Sequence, residues 1–433
     1  MSQLTDILLL RAGYASTLVL VGSTLLGIAA GVVGVLALLR QRSLLADALA
    51  HATLPGLAAA FITAAALGID GHALPVLLGG ATLAGLLALS AVKLLQASPR
   101  ITPDAALASV LASFFGAGVV LMTVVQNLDT GGQAGLERFI YGQAAAMQSH
   151  DVYIAALCSI VACALCLLLL KELRLVTFDP SFGRAIGRPI SMLDALVLVL
   201  VLAVTVAGLQ MVGLIMVVAL QIVPAAAARF WTNRLGTMLV ISGSIGGLSC
   251  AVGAAISASI PKAPTGAVIV LVAGVAFTIS MLAAPRRGLL ATALRRAGAS
   301  LRISRAHALR SALERSEETG TPLHSPELLA SPHTGGLQRF SLTCAGLLRR
   351  GALTDAGIAQ ARAATRAHRL WEQYLVARAL HDPSHADLIA DLVEHAATEA
   401  DVQDLERELA LPHAGTLPQS THPLHAQQTG GST

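Results

Sequence analysis

Asp47 and His51 stand four residues apart in the segment Arg42-Ser-Leu-Leu-Ala-Asp-Ala-Leu-Ala-His-Ala-Thr-Leu-Pro-Gly56. On a helix that spacing puts both side chains on one face. A carboxylate and an imidazole so placed can share a divalent cation of the manganese or zinc type, or they can simply hydrogen-bond each other or cap neighbouring helices. Pro55 and Gly56 would kink or thin the same helix. A second set lies near the other end of the chain: Asp391, Glu394 and His395 are i, i+3 and i+4 of a helix. With His368 from the preceding helix they could hold a divalent cation; the alternative is a solvated polar face. A third segment, Phe178-Asp-Pro-Ser-Phe-Gly-Arg-Ala-Ile-Gly187, contains no ligand set but has well-marked ends. Asp179 can cap a helix whose first residue is Pro180, and Gly187 before Arg188-Pro189 is a stop. A short helix carrying Phe178 and Phe182 is something a partner could grip, and a simple re-entry turn is the alternative.

Other chemistry is disfavoured by what the sequence lacks. None of the three lysines, Lys93, Lys171 and Lys262, follows a glycine, so the chain has no Gly-Lys-Ser/Thr phosphate loop and is not expected to bind a nucleotide. No His-Glu-x-x-His protease motif occurs, and no enzymatic activity is expected. Four cysteines lie inside apolar runs and Cys344 is isolated, which leaves neither a disulfide framework nor a paired-cysteine zinc site.

The elements that must position these residues belong to two solvents. The 433 residues are 55% hydrophobic and 12% charged, with a mean hydropathy of +0.70, which does not fit a soluble protein of this length. Residues 1–300 carry a net charge of +7 and only 3 of the 13 histidines, whereas residues 301–433 carry −3 and the other 10. Apolar runs of bilayer-crossing length fall at roughly 15–39, 44–67, 73–95, 105–126, 153–170, 190–208, 211–228, 236–259 and 265–284. At that depth only helices satisfy the backbone. The expectation is an all-α polytopic membrane protein of about nine transmembrane helices, between eight and ten because residues 190–228 are divided only by Gly208-Leu-Gln-Met-Val-Gly213.

Counting basic residues in alternate loops gives ten on one side and three on the other. That bias places the N-terminus outside and the C-terminal part, entered through Arg286, Arg287, Arg295 and Arg296, in the cytoplasm. No removable signal peptide is expected, and the first span itself would target the chain. Beyond residue 300 the pattern becomes that of soluble helices, expected at 303–317, 325–331, 337–349, 354–380, 384–396 and 399–410. Residues 413–433 are polar, low in aliphatics and expected to be disordered.

The segment around Asp47 and His51 resembles the permease subunits of manganese, zinc and iron ABC importers, the ABC type 3 permease family. Three later segments agree in order: residues 178–187 resemble its cytoplasmic coupling helix, Leu220-Gln-Ile-Val-Pro224 its mid-chain proline segment, and Pro264-Thr-Gly266 the start of its last span. The resemblance implies a transmembrane permease domain over 1–290 in a bacterial cytoplasmic membrane, with Asp47 and His51 handling the metal and Phe178, Asp179, Pro180, Phe182 and Gly187 coupling to an ABC ATPase. It also implies an extracytoplasmic solute-binding protein and a second permease chain as partners, and a divalent manganese, zinc or iron ion as substrate.

Residues 300–412 resemble the diphtheria-toxin-repressor-like metalloregulators through Arg366-Ala-His-Arg-Leu-Trp-Glu-Gln-Tyr-Leu375 and Asp391-Leu-Val-Glu-His395. This implies a mainly helical, winged-helix-like metal-sensing or dimerisation domain, with His368, Asp391, Glu394 and His395 as ligands of an effector metal. Upstream the chain departs from that pattern: His307 and Arg310 stand where the repressors have acids, and Arg cannot ligate a metal. The wing is nearly deleted at Arg350-Gly-Ala-Leu353. The expected recognition helix from Gly336 to Arg349 offers Gln338, Arg339, Ser341 and Thr343, but the net charge of −3 disfavours DNA binding. A membrane-tethered metal-responsive transcriptional regulator is the alternative function, and an ion-coupled secondary carrier a third.

Overall fold

The computed structural model describes residues 13–40, 43–68, 73–127, 147–260, 263–285, 287–329, 335–378, 389–391, 393, 399–409 and 418. The chain divides into two compact units, residues 1–292 and 293–433. Each has its own hydrophobic core.

The first unit is built from α1 (Tyr14–Leu39), α2 (Ser43–Ala66), α3 (Leu74–Gln96), α4 (Pro103–Gln126), α5 (Ser149–Leu168), the short α6 (Leu170–Phe178) and α7 (Pro180–Ala185), α8 (Ile190–Val212), α9 (Leu214–Trp231), α10 (Leu235–Ser259) and α11 (Thr265–Ala283). Among the described residues eight of these helices are long and apolar enough to cross a membrane, and Met216–Trp231 of α9 is a shorter apolar helix. The unit is thus a multi-pass membrane protein. The boundary between α8 and α9, which the apolar pattern hardly marks, is made by Gly213 at φ +88°, a backbone state that favours glycine.

Between apolar helices in lipid, association depends on close backbone approach and on hydrogen bonds rather than on hydrophobicity. α1 supplies both. It packs against α5, α8, α9 and α10, and its Gly27, Gly31 and Gly34 lie directly against the backbone carbonyls of Gly246, Ser242 and Gln221. Ser242 Oγ donates to the Gly31 carbonyl at 2.6 Å, and Ser159 Oγ to that of Leu25 at 2.6 Å. The second contact group joins α2 to α3 and α4, with Gly56 and Gly80 meeting backbone to backbone.

The second unit contains most of α12 (Leu289–Thr319), a 3-10 turn at Pro326–Leu329, α13 (Gly336–Cys344), strands β1 (Leu348–Arg349) and β2 (Ala352–Leu353), α14 (Asp355–Arg378) and α15 (Glu399–Glu408). Leu309, Leu313, Leu328, Leu342, Leu348 and Leu353 form its core. The helix expected to run to Arg349 ends at Cys344. Gly346 takes φ +72°, and the Leu347 N–H returns to the Leu342 carbonyl at 3.0 Å, the glycine-terminated helix end. The wing is reduced to two-residue strands, paired Leu348 to Leu353 and Arg349 to Ala352. They are joined by Arg350 and Gly351, both at positive φ, the turn that matches strand twist. The tail expected to be disordered, residues 413–433, lies outside the described residues except Pro418.

Candidate metal sites and coupling surface

α2 is the helix on which Asp47 and His51 were expected to share a face, and they do. His51 Nε2 lies 3.5 Å from Asp47 Oδ1, and both side chains are partly buried. The imidazole is fixed from the other side by Phe115 of α4, edge to face with ring centroids 4.9 Å apart. His51 Nδ1 is buried and has no hydrogen-bond partner among the described residues. An imidazole and a carboxylate that approach each other, with a ring nitrogen not otherwise engaged, form two of the donors a divalent ion needs. One turn further on, Pro55 sits inside the helix, and a cavity of about 650 Å³ opens between α2, α3 and α4, lined by Pro55, Gly56, Gly80, Phe114 and Ala117. Its walls are almost wholly apolar, so the polar pair lies outside it. Phe115 carries no sequence signal as a partner of His51, because the two are joined only by the packing of α2 on α4.

An ion pair between Arg40, at the end of α1, and Asp194, in the first turns of α8, was also not foreseen from the sequence. The only hint is an isolated acid at the head of a long apolar run.

Residues 178–187 form a short capped helix with the start and stop expected of them. Asp179 accepts from the Phe182 N–H at 2.9 Å and from the Ser181 hydroxyl at 2.7 Å, with Pro180 in the first turn. These bonds, the Phe182 amide first, hold the Asp179 carboxyl below the usual carboxylate range. At the other end Gly187 has φ +77°, and the Arg188 N–H reaches the Gly183 carbonyl at 3.0 Å. Arg188 also stands 3.9 Å from Glu172 of α6. Phe178, Phe182 and Ile186 are 59%, 54% and 52% exposed. Phe178 closes α6, Phe182 lies on the capped α7 and Ile186 is its C-cap residue, so exposed apolar side chains stand before, on and after the short helix. The two aromatics were expected at this surface; Ile186 was not, since its exposure follows from its place at the end of α7.

In the second unit His368 is buried on α14, and its Nδ1 lies 3.5 Å from Asp391 Oδ1. Arg310 of α12 contacts both. Glu394 and His395 lie outside the described residues, and no group of three or more His, Cys, Asp or Glu side chains able to hold a metal occurs among the described ones. On α13, Gln338 Nε2 donates to Ser304 Oγ at 2.8 Å, and Ser341 accepts from Arg305 Nε at 2.5 Å. Thr343 is turned back to the Arg339 carbonyl at 2.8 Å. Most of the polar side chains expected on a recognition helix are therefore engaged within the unit.

A bundle of apolar helices with a carboxylate and an imidazole paired on one span, and a short capped helix between two others, suits a transport permease. Residues 15–284 match the ABC 3 transport family, and the chain belongs to that family. Residues 354–414 match the iron dependent repressor metal binding and dimerisation domain, so the two halves of the expected fusion are present. The chain is similar to the manganese transport system membrane protein MntC of Bacillus subtilis (strain 168), with 40% identity over 300 residues, 69% of this chain and 68% of that one. It is similar to the zinc transport system membrane protein TroC of Treponema pallidum (strain Nichols), with 37% identity over 292 residues, covering 67% and 96%. Among solved structures, PsaBC from Streptococcus pneumoniae in complex with Fab matches at a TM-score of 0.56 and 31% identity, over 64% of this chain and 95% of that one. The first unit is accordingly a membrane-spanning permease, and the second carries a repressor-type domain suited to metal sensing.

Proposed function

We propose that this chain is the membrane subunit of a binding-protein-dependent ABC importer for manganese, zinc or iron. Two permease chains would form the pathway, a solute-binding protein would deliver the ion from outside, and an ABC ATPase would drive the cycle. The observation that carries this reading is the Asp47–His51 pair at 3.5 Å on a membrane-spanning helix. Ionisable groups within membrane-spanning helices are costly and are ordinarily retained for the passage of ions or protons. A carboxylate and an imidazole favour a borderline divalent ion over magnesium or calcium, which take all-oxygen sites.

Residues 178–187 are the surface for the ATPase. The exposed apolar side chains of Phe178, Phe182 and Ile186 support this, because a groove on a partner would bury them. The basic-residue bias supports a cytoplasmic position for this segment and for the second unit. The second unit, taken as residues 300–412, senses metal or mediates dimerisation, with His368, Asp391, Glu394 and His395 as its ligand set. The engaged side chains of α13 support feedback on transport over transcriptional control.

Reconstitution separates these readings. Proteoliposomes containing the chain, its ATPase and its binding protein should accumulate Mn(II) or Zn(II) only with ATP. Uptake without the ATPase would point to an ion-coupled carrier, and metal binding without any uptake to a tethered regulator.

A further inference from the structure

The repressor-type domain brings together two of its expected ligands, and the group seated on both is a cation of the chain itself. His368 is 1% exposed on α14, and its Nδ1 stands 3.5 Å from Asp391 Oδ1. Arg310 from α12 places a single nitrogen, Nη1, at 2.7 Å from that Nδ1 and 2.5 Å from that Oδ1. Arg310 Nε lies 3.6 Å from Glu314 Oε1, one helical turn along. A guanidinium has donors only, so His368 must present the lone pair of Nδ1 towards it. That is the protonation state, and the pair of converging donors, that a transition-metal ion requires. The site fits a cation, and Arg310 serves as the stand-in.

We propose that Arg310 is an internal competitor for the effector metal, a latch that occupies the His368–Asp391 pair and has to swing away before Mn(II) or Zn(II) can bind. The inference rests on the reading of the second unit as metal-responsive, and it adds what sets the threshold of that response. A metal ion would lie within little more than 2 Å of both donors, in the space Nη1 fills, so the two cations exclude each other. Displacing Arg310 breaks two hydrogen bonds, one of them charge-assisted on both sides. Glu314 gives the displaced guanidinium a carboxylate to lean on. The tail then answers only to metal concentrations above those that the same ligands would register without the arginine. A sequence pattern with arginine where related repressors have an acid thus describes a changed set point rather than a lost site.

The test uses the full-length chain in detergent, with Mn(II) as the probe and free Mn(II) followed by electron paramagnetic resonance. Binding attributable to the tail is the part abolished by Asp391→Asn, which separates it from any ion held near Asp47. Arg310→Gln and Arg310→Met should each tighten that part by about tenfold or more, since each removes a competing unit charge at contact distance. Arg310→Lys, which retains a cation, should stay close to wild type. The gain should vanish in Arg310→Gln combined with Asp391→Asn. If the two neutral variants bind with wild-type or weaker affinity while Asp391→Asn still removes binding, the latch is wrong and the sensing reading stands. If Asp391→Asn changes nothing in any background, the tail holds no metal there, and both ideas fall.

Discussion

Gly31 is where the packing of the permease unit is least forgiving, and replacing it by alanine gives a number that can be checked. A Cβ at that position would overlap the Ser242 carbonyl oxygen and stand 2.9 Å from its carbon and 3.2 Å from Gly243 Cα. All three atoms are backbone, so no side chain can turn aside and α1 must move away from α10. Overpacking of this kind costs about 1–3 kcal/mol. The separation also stretches the 2.6 Å hydrogen bond from Ser242 Oγ to the Gly31 carbonyl, and interhelical hydrogen bonds in membranes contribute about 0.6 kcal/mol on average. The expected loss is therefore about 1.6–3.6 kcal/mol, which a gain of about 0.5–1 kcal/mol for removing a helical glycine reduces to a net destabilisation of about 1–3 kcal/mol. Gly274 on α11 is the control, because nothing lies within 4 Å of a Cβ added there, so Gly274→Ala should be neutral or slightly stabilising. Unfolding of detergent-solubilised protein by sodium dodecyl sulfate, followed by circular dichroism, measures both. Equal tolerance of Gly31→Ala and Gly274→Ala would refute the packing argument.

Phe182→Ala and Ile186→Ala should lower ATPase-coupled transport while leaving membrane insertion intact, and cysteines placed along 178–187 should cross-link to the ATPase; no cross-link at any position would leave the segment a plain turn. The Asp179 carboxyl is held low by the Phe182 amide and the Ser181 hydroxyl, so its cap contributes stability above the unfolded pKa and loses it as the pH falls through the lower, folded value. Hydrogen-exchange protection at the Phe182 amide should accordingly be constant near neutrality and fade below about pH 4, whereas Asp179→Asn, which cannot ionise, should show no such fade. Arg369→Met should loosen the second unit, because the buried guanidinium bonds Glu317 Oε2 at 2.5 Å and the Pro418 carbonyl at 3.1 Å; a thermal midpoint unchanged from wild type would refute that.

What the sequence makes legible is governed by local physics. Spans could be read because bilayer thickness fixes the length of an apolar run, and α7 because Asp179-Pro180 and Gly187 act on their own backbone. The pairing of Asp47 with His51 follows from helical spacing alone. The end of α13 is also local: the helix expected to reach Arg349 stops at Cys344 because Gly346 takes φ +72°. Contacts that depend on tertiary structure were not legible. Arg40 and Asp194 are 154 residues apart and meet only when α1 lies beside α8, and Arg310 reaches Asp391 across 81 residues. In the second case the anomaly could be seen in the sequence, as an arginine in a ligand position, but its consequence needed the geometry.

The most direct test of the permease account is ATP-dependent Mn(II) uptake by proteoliposomes containing the complete complex, comparing wild type with Asp47→Ala and His51→Ala. Each substitution removes one half of the 3.5 Å pair from a span whose length it does not change. Uptake should fall at least about tenfold in each, the loss of one metal-binding contact being worth 1.4 kcal/mol or more, while the ATPase still co-purifies. Wild-type uptake by both variants would contradict the assignment of this pair to the ion's path.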